Sequence, residues 1–122
     1  MQTSAKHLTT EYAQAIERQL DALLADIHSI PEMSQFLTTF LTPTEKSVFA
    51  KRLEILWLLN QGMSYEAISK QLKVSSATIS AVAEMKKLKG IQLATKKLQF
   101  AHWYTKLSRA FKAQSPAHEE ES

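Results

Sequence analysis

The sequence predicts an all-α fold on three observations. Among 122 residues there are two glycines and three prolines, too few for the frequent turns of a β fold. The apolar residues recur at three- and four-residue spacing, the period of one helix face. Thr or Ser stands ahead of several apolar runs, where a side-chain oxygen satisfies the free N–H groups of a helix start. A 44% hydrophobic share is enough to build a core, and the length fits a single helical domain, 1–122.

Thr9 and Thr10 cap a first helix expected to run to about His28, with Tyr12, Ile16, Leu20, Leu23, Leu24 and Ile27 on one face. Pro31 is expected to break it. A shorter segment follows, carrying Met33, Phe36, Leu37, Phe40 and Leu41. Leu41-Thr42-Pro43-Thr44-Glu45 is a strong helix start. Thr42 suits the N-cap, Pro43 the first helical position, and Glu45 closes a capping box. This third helix reaches about Asn60 and carries Val48, Phe49, Leu53, Leu56, Trp57 and Leu59. Gly62 then supplies the left-handed residue that ends it.

Over residues 63–88 the pattern changes to two short helices. Ser64 caps one from Tyr65 to Leu72, and Ser75 caps a second from Ser76 to about Leu88. Ile68, Leu72, Val74, Ile79 and Val82 are apolar at relative spacings 0, 4, 6, 11 and 14. Two short helices that cross and bury facing inner sides, a helix-turn-helix, need this pattern. Ser69 is small where close helix approach requires it. Lys73 holds the turn position that favours glycine, so it must take a positive φ or a different turn must form. The short side chains of Val74-Ser75-Ser76-Ala77-Thr78-Ile79-Ser80 suit a helix entering a major groove, bonding phosphates or base edges. The candidate DNA-binding residues are Tyr65, Ser69, Ser75, Ser76, Ala77, Thr78, Ser80, Ala81, Lys86, Lys87 and Lys89. With no arginine in 75–85 for a bidentate guanine contact, readout is expected to lean on water and DNA shape.

Charge points to the same partner. Residues 85–118 hold eight basic side chains and no acidic one, whereas 1–84 hold seven basic and nine acidic. A one-sided basic segment favours a polyanion such as double-stranded DNA. The last helix, 90–112, has Ile91, Ala94, Leu98, Ala101, Tyr104 and Phe111 in one apolar stripe. Leu93, Phe100, Trp103 and Leu107 form a second. A helix apolar on so much of its circumference needs partners on two sides, which a second copy of the chain supplies. Trp57 and Trp103 are both expected in the core. Residues 113–122 read as an acidic tail.

Several function classes are excluded. Without cysteine there are no disulfides or thiolate metal sites, which suits a reducing cytoplasm. No signal peptide or membrane-spanning run is visible. His7, His28, His102 and His118 lack metal-ligand spacing, the two glycines are 28 residues apart, and no serine has a nearby histidine. Neither an enzyme nor a cofactor is expected.

Leu41-Thr42-Pro43-Thr44-Glu45, Arg52 in the following helix, and Gly62-Met63-Ser64 leading into the helix-turn-helix together resemble the Trp repressor superfamily. The resemblance covers residues 33–88, under half of the chain. It implies an all-helical, intertwined homodimer whose helices over 9–60 and 90–112 interlock while each subunit presents one reader. It also implies a tryptophan site made by a threonine before the proline, an arginine in the next helix, and an arginine-glycine pair in the recognition helix. Thr42 and Arg52 match the first two, but Ala81 and Val82 stand where the pair belongs. The carboxylate clamp is gone and Val82 adds bulk, so no tryptophan response is expected and any effector is unknown. Thr42 and Arg52 then serve structure, Arg52 through an ion pair to Glu45 or Glu84. A repressor-like regulator is the leading reading. A DNA-binding component of a transposase or similar machinery, and a helical module that binds no DNA, are the alternatives.

Overall fold

The computed structural model describes residues 7–113, six α-helices and no strand among them. They are α1 (Thr10–Asp26), α2 (Ile30–Phe40), α3 (Pro43–Asn60), α4 (Tyr65–Leu72), α5 (Ser76–Met85) and α6 (Lys89–Ala113). The acidic tail lies outside the described residues from 114 onward. The chain divides into two compact units, Met1–Lys46 and Ser47–Ser122.

In the first unit, Thr9 caps α1, its Oγ1 accepting from the Tyr12 N–H at 3.2 Å. No residue of α1 is buried, and Tyr12, Ile16, Leu20 and Leu23 stand exposed along it. Pro31 does not break a helix as the sequence reading expects. It is the second residue of α2, where its missing N–H would have had no helical partner. The break comes earlier, at Ile27–Ser29, and Ser29 caps α2 by accepting from the Glu32 N–H at 3.1 Å. The capping box at the start of α3 forms in both directions. Glu45 N–H donates to Thr42 Oγ1 at 3.1 Å, and Thr42 N–H donates to Glu45 Oε1 at 2.8 Å.

The core lies in the second unit. Ile55, Leu56 and Leu58 of α3 close on Ile68 of α4 and on Ile79 and Val82 of α5. Leu72, Val74, Ile91 and Leu98 pack around this cluster. Of these three α3 residues, Leu56 is expected from the sequence, and Ile55 and Leu58 are not. Residues 55–59, Ile-Leu-Trp-Leu-Leu, are apolar on every side of the helix, so periodicity cannot choose a face there. Gly62, at φ 85, ends α3 in a Schellman arrangement. Met63 N–H reaches Leu58 O and Gly62 N–H reaches Leu59 O, both at 3.0 Å.

α6 meets α3 through the stacked rings of His102 and Trp57, whose centroids are 4.3 Å apart. The apolar residues of α6 regroup relative to the two expected stripes. Ile91, Ala94 and Leu98 are half-buried, but Tyr104 and Phe111 are exposed, as are Leu93, Phe100, Trp103 and Leu107. Trp103, expected in the core, is 55% exposed, because it follows Phe100 by three residues on the outward side of α6. Among the described residues no helix is long and apolar enough to cross a membrane.

Candidate nucleic-acid interface

The two short helices owe their bounds to serine. Ser64 Oγ accepts from Ala67 N–H at 3.2 Å and starts α4; Ser75 Oγ accepts from Thr78 N–H at 3.1 Å and starts α5. Lys73 adopts the left-handed conformation, φ 58 and ψ 47, that the turn demands. Ser69 holds this turn from both of its polar ends. Its carbonyl accepts from the N–H groups of Lys73 and Val74, and its half-buried hydroxyl donates to Val74 O at 2.7 Å. Ser69 is thus small where the helices approach, and its hydroxyl is spent on the turn. Ser75 and Thr78 are engaged in a similar way, their hydroxyl oxygens 3.0 Å apart at the head of α5.

α5 is divided cleanly between two environments. Ile79 is fully buried and Val82 is 2% exposed, both against Ile68. Ser76, Ala77, Ser80 and Ala81 are exposed. Glu84, not among the candidates expected from sequence, shares their face, four residues beyond Ser80. The spacing of Ser76, Ser80 and Glu84 was the available signal. Short side chains on this face let a backbone approach the floor of a groove, and the free N–H groups at the head of α5 favour a phosphate. Tyr65, the first residue of α4, is exposed as well.

Three lysines follow. α5 ends at Met85, not at about Leu88 as expected from sequence, where no glycine or proline marks the stop. Lys86 N–H reaches back to Ala83 O and Leu88 N–H to Met85 O, tightening the chain. The Leu88 carbonyl then accepts from Ile91 and Gln92 N–H to begin α6. Lys86 and Lys87 therefore sit in a turn and Lys89 opens the next helix, all three exposed. The single ion pair among the described residues, Glu66 with Lys70 at 3.4 Å, leaves these lysines free for other anions.

The candidate effector residues are occupied otherwise. The Thr42 hydroxyl belongs to the capping box. The guanidinium of Arg52 forms no ion pair with Glu45 or Glu84; it lies 5.8 Å from the ring centroid of Phe49, one helical turn away on α3. A cleft of about 520 Å³ opens between α3 and α6, lined by Glu54, Trp57, Leu98, His102, Lys106 and Arg109 among others, and neither Arg52, Ala81 nor Val82 reaches it. Among the described residues no group of His, Asp or Glu is placed to hold a metal ion.

No curated protein and no solved structure matches the chain. The model of one family, described as Trp repressor protein, matches residues 14–98, from within α1 through the helix-turn-helix to the first half of α6. With that match over most of its length, the chain belongs to the Trp repressor family, and so to DNA-binding transcriptional regulators rather than to enzymes.

Proposed function

We propose that the chain binds duplex DNA sequence-specifically as a homodimer, with α5 of each copy in a major groove, α4 behind it, and Lys86, Lys87 and Lys89 on the phosphates. The division of α5 carries this reading: one side is sealed by Ile79 and Val82, and the other exposes only short side chains and Glu84. A helix serving the fold alone has no need of a bare outward face at its capped, N–H-rich end.

The apolar surface supports the dimer. A single chain leaves Tyr12, Ile16, Leu20 and Leu23 of α1 uncovered, together with Leu93, Phe100, Trp103 and Phe111 of α6. Two helices, each with a row of exposed large apolar side chains, favour a partner, and a second copy whose helices interlock with these faces covers them. Two readers related by a two-fold axis would then meet successive major grooves about 34 Å apart, which makes the preferred site a palindrome.

Selection of bound sequences from random duplex DNA at physiological salt, run beside sedimentation, tests the proposal. A palindromic consensus and a dimer are expected. A folded monomer at micromolar concentration, or the absence of any consensus, overturns it.

A further inference from the structure

The outward face of α5 holds one long side chain. Ala77, Ser80 and Ala81 are exposed and short. Glu84 follows Ala77 by seven residues, two helical turns less about 20°, so it lies nearly in line with Ala77 and about 10 Å further along the axis. It is also the only ionisable side chain of α5, whose sequence is SATISAVAEM. Among the described residues it takes part in no ion pair, although the exposed Lys86 and Lys87 are only two and three residues away.

We infer that Glu84 selects a base pair, its carboxylate accepting a hydrogen bond from the exocyclic amine of cytosine in the major groove. This inference rests on α5 being the reader. An ionised carboxylate can only accept. The major-groove edge of cytosine offers the N4 amine as a donor, whereas adenine sets an acceptor beside its amine, guanine shows two acceptors, and thymine an acceptor and a methyl. Glu84 thus meets a favourable partner at cytosine and repulsion at guanine or thymine. The small residues beside it bring the backbone close enough for Glu84 to reach the base edge. An anion in a phosphate-lined groove is unfavourable unless a donor receives it, so Glu84 also weakens binding to every sequence without an amine at that place.

The test repeats the random-duplex selection with Glu84→Gln and Glu84→Ala, with Ala77→Leu as the control for the reader itself and thermal melting for folding. The wild-type chain is expected to select cytosine at one position of each half-site. Glu84→Gln should shift that position to adenine, whose N6 and N7 an amide can bond together. Glu84→Ala should lower discrimination there by about tenfold, with affinity for unrelated duplexes unchanged or raised. If Glu84→Ala keeps every base preference while Ala77→Leu abolishes binding, α5 is the reader and Glu84 does not select a base. If Ala77→Leu binds normally, the reader assignment fails and this inference falls with it.

Discussion

The hydroxyl of Ser69 donates a 2.7 Å hydrogen bond to the carbonyl of Val74, five residues on, and so fastens the end of α4 to the approach to α5. Between the two, Lys73 holds a left-handed backbone that costs a residue with a Cβ about 1 kcal/mol. Ser69→Ala should therefore lower stability by about 1 kcal/mol, since it strips the Val74 carbonyl of its partner. Lys73→Gly should raise it by up to about 1 kcal/mol, the relief of the left-handed conformation exceeding the added freedom of the unfolded chain. Urea melts of both variants decide this, and a Lys73→Gly chain less stable than wild type would show that the turn is not strained.

The capping box at α3 titrates. The hydrogen bond from the Thr42 backbone N–H, and after it the one with the Thr42 side chain, hold the Glu45 carboxyl below its ordinary value. The folded state thus releases this proton more readily than the unfolded state does. Its contribution is complete above the ordinary glutamate range and is lost as pH falls through the lowered folded value. Glu45→Gln should accordingly flatten the acid limb of the stability–pH curve, the gap to wild type closing as pH drops. Thr42→Ala should cost about 1 kcal/mol at neutral pH. An unchanged acid limb in Glu45→Gln would argue against the box.

Lys86, Lys87 and Lys89 lie past the end of α5, and the docking proposed above sets them on the phosphates rather than on a base edge. Replacing any one by alanine should weaken binding to all duplexes by a similar factor. It should also lower the slope of log affinity against log salt by about one unit. A loss confined to one sequence would make that lysine a base contact instead.

L-Tryptophan at millimolar level should leave DNA affinity unchanged. Ala81 offers no guanidinium for a carboxylate, Val82 is sealed in the core, and Arg52 lies over Phe49. Calorimetric binding in the micromolar range, or a mobility shift enhanced by the ligand, would contradict this.

Much of this arrangement is legible in the sequence because capping is local. Thr9, Thr42, Ser64 and Ser75 announce their helices from within four residues, and Gly62 its stop. The inner face of the helix-turn-helix is legible for a related reason. Ile68, Ile79 and Val82 stand among small or polar neighbours, so their period is unambiguous. Where apolar residues crowd, the signal fades. Residues 55–59 present no preferred face, and α6 leaves Phe100, Trp103, Tyr104 and Phe111 all exposed where spacing alone sorts them into two stripes to be covered. The end of α5 at Met85 depends on backbone hydrogen bonds among Ala83, Met85 and Leu88, which leave no mark in residue type. Glu84, a charged residue near a helix end, reads in sequence first as an ion-pair partner, and its unpaired place on the outward face emerges only in three dimensions.

The affinity of Ala77→Leu for the site selected by the wild-type chain, measured beside its melting temperature, tests the central claim most directly. Ala77 is exposed and opposite the buried Ile79, so a larger side chain there should leave folding intact while holding α5 off the groove floor. Ile79→Ala serves as the contrast: it opens a cavity in the core and should cost about 2–5 kcal/mol of stability. A fully folded Ala77→Leu chain that has lost specific binding is the result expected. A fully folded Ala77→Leu chain that binds the selected site as tightly as wild type would contradict the account, because α5 would then not be the helix that enters DNA.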